Sequence, residues 1–264
     1  MEPHALAPAA APGGPLAGLS VLVTRPARQA APFAVRLAAL GATPVIFPAI
    51  AILPPDDPAP LAAVHARLEH YDLAVFVSAN AAEYGVPPGR AWPPGLVALA
   101  PGPGTAETLA ALGVPDARFP ATTFDSDGLL ALPLLADLAG RRIVLFRGEG
   151  GREQLPATLA ARGAAVDVVA CYRRAPPSSL EGLEAAFAAG GIDAVTLTSS
   201  EGIDNLWTRL SADARAAWRA CLSFVPHRRI AEHARGLGLA VVETAGGDAG
   251  LLAGLSDWAR ARPH

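Results

Sequence analysis

Hydroxyl, amide and arginine side chains, together with glycines, follow six short apolar runs in this 264-residue chain. The candidate binding residues at these junctions are Thr24, Arg25, Ser78, Asn80, Gly104, Thr105, Arg147, Arg152, Ser199, Ser200, His227 and Arg229. If the runs are parallel strands, these junctions lie where helix N-termini present free N–H groups to anions. Helix capping alone explains any single junction, because Ser, Thr and Asn are preferred caps. The arginines exceed what caps require, so the set predicts a cleft for an anion with several carboxylates or phosphates.

Tyr172 is the best candidate for an acid in catalysis. It ends an apolar run and falls at a predicted break between two lobes, where a cleft is expected to open. A neutral phenol can donate a proton or a hydrogen bond to a departing oxygen. The alternative is a packing tyrosine whose hydroxyl reaches the surface, and position alone favours neither interpretation.

Residue types exclude several kinds of cofactor chemistry. All 21 basic residues are arginine, which excludes lysine Schiff bases and lysine-containing phosphate loops. Gly102 and Gly104 resemble the start of a dinucleotide-binding loop, but Glu107 at the third glycine position would repel a pyrophosphate. The six histidines and the two cysteines, Cys171 and Cys221, lack the spacing of metal ligands. We therefore expect no metal site, no lysine-bound cofactor and no dinucleotide site.

Short apolar runs and amphipathic helical segments alternate from Gly18 onward. The runs are rich in Val, Ile, Leu and Phe, as expected for strands buried on both faces. Segments between them, such as 29–40 and 153–162, have apolar residues at helical spacing and stop at a glycine. This alternation predicts an α/β fold with parallel, flavodoxin- or Rossmann-like sheets. The composition of residues 1–17, which is rich in Ala, Pro and Gly, predicts a flexible tail.

The chain contains an internal duplication. Residues 122 apart are repeatedly of the same type, as at Gly18 and Gly140, Arg25 and Arg147, Gly41 and Gly163, Pro54–Pro55 and Pro176–Pro177, and the segments 128–131 and 250–253. So many coincidences at one offset predict two homologous α/β lobes.

The two Pro-Pro pairs are the best candidates for linkers, because proline is excluded from central strands. With linkers near 50–55 and 171–177, lobe 2 comprises residues 54–171 and lobe 1 combines 18–50 with 177–264. Two strands would then cross between the lobes. The alternative is two consecutive domains, and the repeat leaves both layouts open.

Charge and hydropathy exclude several partners. The formal net charge is −3, which gives no basic surface for nucleic acid or an anionic membrane. No apolar run approaches 18 residues, and the N-terminal stretch has neither the basic start nor the apolar core of an export signal. We expect a cytoplasmic monomer that binds a small molecule.

The sequence resembles the uroporphyrinogen-III synthase family over nearly everything after Gly18. The motifs that carry the resemblance are VLVTRPARQAAPFAVRLAALGATPVIFP, YDLAVFVSANAAEYG, PGPGTAETLAALGV, FDSDGLLALP, RIVLFRGEGGREQLPATLAARGAAVDVVACYRR and FVPHRRIAEHA. Each is a loose strand–helix pattern, and their order and spacing together are specific. The resemblance implies two α/β lobes joined by a two-strand connector, the layout in which lobe 1 is discontinuous.

The resemblance also implies a reaction. The substrate would be hydroxymethylbilane, a linear tetrapyrrole with acetate and propionate groups. Its cyclisation loses water and inverts the last pyrrole ring, and it needs no metal or organic cofactor. Tyr172 matches the tyrosine proposed in the family to assist hydroxyl departure, and Ser78, Thr105 and Ser199 match its strand-end hydroxyls.

Two loops depart from the family pattern. Ala79 stands where proline is common, and the 227–229 loop replaces a Gly/Pro/Thr type, so imidazole or guanidinium groups would substitute for a hydroxyl donor. The alternative function is a non-catalytic, two-lobed module that binds a tetrapyrrole or regulates. Enzyme-dependent formation of the type III product isomer distinguishes the two.

Overall fold

The chain forms two compact units in a computed structural model that describes residues 13–262. Unit 2 runs from Ile52 to Arg174, and unit 1 combines the segments up to Ala51 and from Ala175 on. Unit 1 is therefore discontinuous in sequence. Within the described residues, no helix is long and apolar enough to cross a membrane.

Strands and helices alternate along the described chain. The strands are β1 (Ser20–Val23), β2 (Thr43–Ile46), β3 (Ala51–Leu53), β4 (Leu73–Phe76), β5 (Val97–Leu99), β6 (Arg142–Gly148), β7 (Ala165–Ala175), β8 (Ala194–Thr196), β9 (Leu222–Val225) and β10 (Ala240–Glu243). The α-helices are α1 (Ala27–Ala39), α2 (Ala59–His65), α3 (Ala79–Gly85), α4 (Pro103–Ala111), α5 (Ser126–Leu130), α6 (Gln154–Ala161), α7 (Glu181–Ala188), α8 (Ser200–Trp207), α9 (Ala212–Ala220), α10 (Arg228–Gly236) and α11 (Gly247–Ala261). Short 3₁₀ helices cover Leu68–His70 and Pro133–Leu135.

Unit 1 is built on a sheet with the strand order β10-β9-β8-β1-β2, in which every neighbouring pair is parallel. Successive residues of β1 face opposite sides of this sheet. Leu22 belongs to one buried cluster, and Val21 and Val23 belong to another. Apolar residues therefore cover both faces, as the short apolar strands require.

Unit 2 is built on a sheet with the order β3-β7-β6-β4-β5, and its strands from β7 to β5 pair in parallel. Val144 and Phe146 of β6 lie in one buried cluster, whereas Ile143 and Leu145 lie in the other. An isolated parallel bridge from Leu99 continues the sheet beyond β5. The predicted α/β fold with parallel sheets is confirmed in both units.

The two sheets repeat one strand order. The order β2-β1-β8-β9 in unit 1 corresponds to β7-β6-β4-β5 in unit 2. Two glycines explain part of the sequence repeat, because a Cβ atom on Gly128 would lie 1.8 Å from the carbonyl oxygen of Thr123. A Cβ atom on Gly250 would lie 1.9 Å from the carbonyl oxygen of Ala245. The duplication is thus a repeat of three-dimensional contacts.

Part of the predicted flexible tail has a defined structure, and the second predicted linker contains the end of a strand. Leu16, in the predicted flexible tail, is fully buried, and its N–H donates to the carbonyl of Leu40 at 2.9 Å, so the tail prediction is wrong there. The cause is an apolar side chain that packs under the end of α1. Residues 1–12 of that tail lie outside the described residues. The segment 171–177, predicted as one linker of a two-strand connector, is strand up to Ala175, where β3 lies beside β7 and supplies hydrogen-bond partners.

Candidate functional site

The predicted site residues lie at or just beyond the carboxyl ends of parallel strands, in two groups. Unit 1 holds Thr24, Arg25, Ser199, Ser200, His227 and Arg229. Unit 2 holds Ser78, Asn80, Gly104, Thr105, Arg147, Arg152 and Tyr172. The carboxyl ends of parallel strands meet at one edge of a sheet. Each group therefore shares one sheet edge within its own unit.

Ser78 and Ser199 perform the same task in the two units. The Oγ atom of Ser78 accepts the N–H of Ala81 at 3.1 Å and caps α3. The Oγ atom of Ser199 accepts the N–H of Gly202 at 3.2 Å and caps α8. Both serines are helix caps, in agreement with the simpler interpretation. Capping uses an oxygen lone pair, so each hydroxyl proton can still be donated to a ligand.

Thr24 and Thr105, two of the predicted binding residues, are both buried. The Thr24 hydroxyl donates to the carbonyl of Thr196 at 2.9 Å and ties the end of β1 to β8. Thr105 lies in the first turn of α4, whose cap, Gly102, has no side-chain acceptor. Gly104 in the same turn is exposed. The N-terminal amides of α4 are therefore the accessible feature of this junction.

Four further polar candidates lie at the N-termini of α3, α8 and α10. Asn80 in α3 and Ser200 in α8 are half-buried. His227 and Arg229 are exposed at the start of α10, and the His227 side chain makes no capping hydrogen bond there. His227 and Arg229 are thus accessible to a ligand, and Asn80 and Ser200 are partly so.

The Arg25 guanidinium is engaged inside unit 1. Arg25 is only 8% exposed, and its Nη1 atom lies 2.6 Å from Oδ1 of Asp248. Its Cζ atom lies 4.3 Å from the ring centroid of Phe33, a cation–π distance. These contacts make Arg25 an anchor between the end of β1 and the start of α11, and they occupy the group that was expected to hold a substrate carboxylate.

Arg147 is likewise engaged, whereas Arg152 is exposed. The Nη1 atom of Arg147 donates to the carbonyls of Gly151 and Arg152 at 3.1 and 3.0 Å. Its Nη2 atom donates to Glu153 at 2.6 Å. Arg147 therefore shapes the loop between β6 and α6. Arg152 is the member of the predicted arginine set whose side chain this loop presents to solvent.

Tyr172 lies within β7 and is 3% exposed. Its Oη atom is 3.4 Å from Oγ of Ser78, near the outer limit of a hydrogen bond. The ring centroid of Tyr84 is 6.2 Å from that of Tyr172. The phenol thus meets the capping serine that follows β4, which places two hydroxyl groups together at the carboxyl edge of this sheet.

Sequence reasoning missed the acidic partners of the arginines. Asp248 and Glu153 fix Arg25 and Arg147, and neither acid had been singled out. Glu153 is close to its partner in sequence and could have been found by charge pattern, whereas Asp248 has no local signal. Among residues 13–262, no group of three or more His, Cys, Asp and Glu side chains has an arrangement that could hold a metal ion.

The sequence is similar to known proteins over most of its length. The family model described as uroporphyrinogen-III synthase HemD matches residues 31–248. A uroporphyrinogen-III synthase from Salmonella typhimurium is 34% identical over 245 residues, which cover 89% of this chain and 99% of that protein. Another from Synechococcus elongatus is 31% identical over 218 residues, which cover 80% of this chain and 82% of that protein.

Solved structures share the fold at lower identity. A uroporphyrinogen-III synthetase from Helicobacter pylori matches with a TM-score of 0.56 and 11% identity, and the match covers 89% of this chain and 97% of that one. A mutant uroporphyrinogen III synthase from Thermus thermophilus matches with a TM-score of 0.50 and 21% identity, covering 92% and 100%. At these identities the likeness concerns the fold alone.

Proposed function

The chain belongs to the uroporphyrinogen-III synthase family, and we propose that it cyclises hydroxymethylbilane to uroporphyrinogen III with loss of water. The single structural observation that supports this most is the Tyr172 hydroxyl beside Ser78, 3.4 Å away, at the carboxyl edge of a parallel sheet. Ligands of open α/β sheets bind at this edge. A phenol there can assist the loss of a hydroxyl group.

The chemistry requires little more than a proton donor and a shaped surface. The Tyr172 phenol donates its proton to the terminal hydroxyl of the substrate, and the C–O bond electrons leave with the resulting water. The azafulvenium cation that remains is attacked by the substituted carbon of the last pyrrole, which forms a spiro intermediate. That intermediate fragments and recloses with the last ring inverted. The carbon of the last pyrrole at which the ring recloses then loses its proton, and this loss balances the proton that Tyr172 supplied.

Each of the two sheet edges carries exposed polar groups of a kind that binds carboxylates, such as the acetate and propionate groups of this substrate. Arg152 and Arg229 are exposed cations, and His227 is an exposed imidazole beside the start of α10. Ser78, Thr105 and Ser199 lie at helix N-termini, where backbone amides also bind carboxylates. Arg25 and Arg147 contribute indirectly, because they hold the loops that carry these groups.

The layout of the chain supports a two-lobed enzyme. We propose that residues 18–50 with 177–264 form one lobe and residues 54–171 the other, with β3 and the end of β7 as a two-strand connector. β3 and β7 are neighbouring strands, and the boundaries between the units lie at Ala51 and Arg174. We propose a monomer that works in the cytoplasm.

The test supplies freshly made hydroxymethylbilane and identifies the product isomer by chromatography. Hydroxymethylbilane closes spontaneously to the type I isomer. Enzyme-dependent type III product is the expected result. Type I product alone, together with tight binding of the tetrapyrrole, would instead identify a binding or regulatory module.

A further inference from the structure

A β-bulge sets the direction of the Tyr172 side chain. Along the pairing of β6 with β7, Arg147 lies opposite Ala170, and Gly148 lies opposite Tyr172. Cys171 is therefore the extra residue of a bulge on β7. Consecutive residues of a regular strand face opposite sides of the sheet. Cys171 and Tyr172 are instead both buried in the same apolar cluster. The bulge therefore places the phenol on the same face of the sheet as Cys171, whereas regular pairing would place it on the opposite face.

The Cys171 thiol fills the bulge. Its Sγ atom lies 3.4 Å from the carbonyl oxygen of Arg147 and 3.6 Å from that of Ala81. Burial raises the pKa of this thiol to about 12, so it stays protonated and its single S–H lies within reach of both carbonyls. The thiol thus links β7 to β6 and to α3, the helix that Ser78 caps.

Gly148 leaves the space that the phenol occupies. A Cβ atom at this position would lie 2.7 Å from Cζ of Tyr172 and 3.1 Å from its Oη atom. The backbone of Gly148 is in β6 and has no positive φ, so alanine is compatible with the main chain. A methyl group at position 148 would therefore displace the far end of the Tyr172 side chain. This displacement would move the Tyr172 hydroxyl relative to Ser78.

The duplication provides an internal comparison. The residues 122 positions before Gly148 and Tyr172 are Pro26 and Ile50. In unit 1, Ile50 lies near the capping Ser199: a Cβ atom on Gly202 would lie 3.9 Å from Cδ1 of Ile50 and 3.7 Å from Cβ of Ser199. The sequence position that corresponds to the phenol is thus occupied by an apolar side chain in unit 1. Unit 1 forms the same strand order with neither the glycine nor the phenol, so this fold requires neither.

We propose that Gly148, together with the bulge at Cys171, is a positioning element that holds the Tyr172 phenol beside Ser78. This inference rests on the proposed function, in which that phenol meets the substrate hydroxyl. Gly148 acts through Tyr172 and makes no contact with substrate itself.

The test compares Gly148→Ala, Tyr172→Phe and the double variant by single-turnover rates with hydroxymethylbilane. A second readout is the ¹³Cζ NMR resonance of Tyr172, in protein labelled at the tyrosines, assigned by its loss in Tyr172→Phe. The chain has three tyrosines, so the spectrum is simple. Gly254→Ala is the matched control, because its Cβ atom would lie 2.6 Å from a side-chain atom of Thr244 in the other unit.

We expect Gly148→Ala to shift the Tyr172 resonance and to lower the rate about as much as Tyr172→Phe does. The double variant should lose no more than Tyr172→Phe alone, because both changes remove one interaction. Gly254→Ala should leave the resonance and the rate unchanged, whatever its effect on Tm.

Two results would overturn the positioning role. One is a Tyr172 resonance that does not move in Gly148→Ala, and the other is an equal loss of rate from Gly148→Ala in the wild-type and Tyr172→Phe backgrounds. A wild-type rate in Tyr172→Phe would instead overturn the proposed role of Tyr172, and the resonance would still decide whether Gly148 positions the ring.

Discussion

Asp72 and Asp193 hold the start of the neighbouring strand in the same way in the two sheets. The Oδ2 atom of Asp72 accepts the N–H of Arg142 at 2.8 Å, at the beginning of β6. The Oδ2 atom of Asp193 accepts the N–H of Ser20 at 2.9 Å, at the beginning of β1. Each carboxylate also meets an arginine guanidinium, at 3.2 and 3.4 Å. This pair fixes the register of the central strands in both units.

Asp72→Asn should lower the free energy of unfolding by about 1 kcal/mol at pH 7, since a charged acceptor is lost. The hydrogen bond from the backbone N–H of Arg142, aided by Arg141, holds the pKa of the Asp72 carboxyl below its ordinary value. A lowered pKa stabilises the fold at pH values above about 4 and ceases to do so as the pH falls further. The difference between wild type and variant should therefore shrink below pH 4. Urea unfolding across pH 3–7 measures it, and a constant difference would contradict this account.

Gly128→Ala should destabilise the fold by about 2–3 kcal/mol, because its Cβ atom would overlap the carbonyl oxygen of Thr123 at 1.8 Å. Gly250→Ala should cost a similar amount through Ala245. Gly182→Ala is the control, since a Cβ atom there meets nothing within 4 Å and the residue lies in α7. Thermal unfolding should give a higher Tm for the control than for wild type, because alanine favours helix by roughly 0.5–1 kcal/mol. Equal Tm values for Gly128→Ala and wild type would refute the close approach.

Arg152→Gln and Asp248→Asn should have different effects. Arg152→Gln should raise KM about 3- to 10-fold with little change in kcat or Tm, because an exposed cation contributes to binding alone. Asp248→Asn should lower the stability by about 1–2 kcal/mol, because it weakens the support of the buried Arg25. Steady-state kinetics and Tm measurements separate the two. A lower Tm with unchanged KM in Arg152→Gln would give that arginine a structural role.

Tyr172→Phe should lower kcat by at least roughly tenfold, because general acid assistance typically contributes about 10²–10⁴-fold and hydroxyl loss from an electron-rich pyrrole is comparatively easy. The residual product should still be the type III isomer, since ring inversion depends on the shape of the binding surface. The variant keeps the ring that packs in the core of unit 2, so its Tm should stay close to that of wild type. Single-turnover rates and product isomers provide the measurement.

Much of the fold follows from local patterns, because four-residue apolar strands and glycine-ended helices are local features. The apolar run at 222–225 predicts β9 with the ends that the structure has. β10 was not among the strands predicted, although residues 239–242 form an apolar run as long as the others; the structure makes Ala240–Glu243 a half-exposed edge strand. Leu16 was assigned to a tail because nothing in its Ala/Pro-rich surroundings shows that it packs against residues near Leu40.

The candidate site was predictable in its location and less so in its details. Strand ends such as Ser78 and Ser199 could be found, since their position follows from the alternation of elements. The salt bridge from Arg25 to Asp248 joins opposite ends of the chain, and no short-range pattern reports it. The bulge at Cys171 could not be predicted from the sequence either, because it depends on how β7 pairs with β6.

The discontinuous unit 1 has a consequence for the newly made chain. β1 is synthesised well before its neighbour β8, which follows roughly 170 residues later, or about 9–34 s at ordinary rates of translation. Unit 2 is continuous, and β3 and β7 near its two ends are adjacent, so its folding shortens the loop that separates β1 from β8. During that interval the apolar residues of β1 lack one partner strand. We therefore expect ribosome-bound chains that end before Ala194 to be bound by chaperones at this first strand.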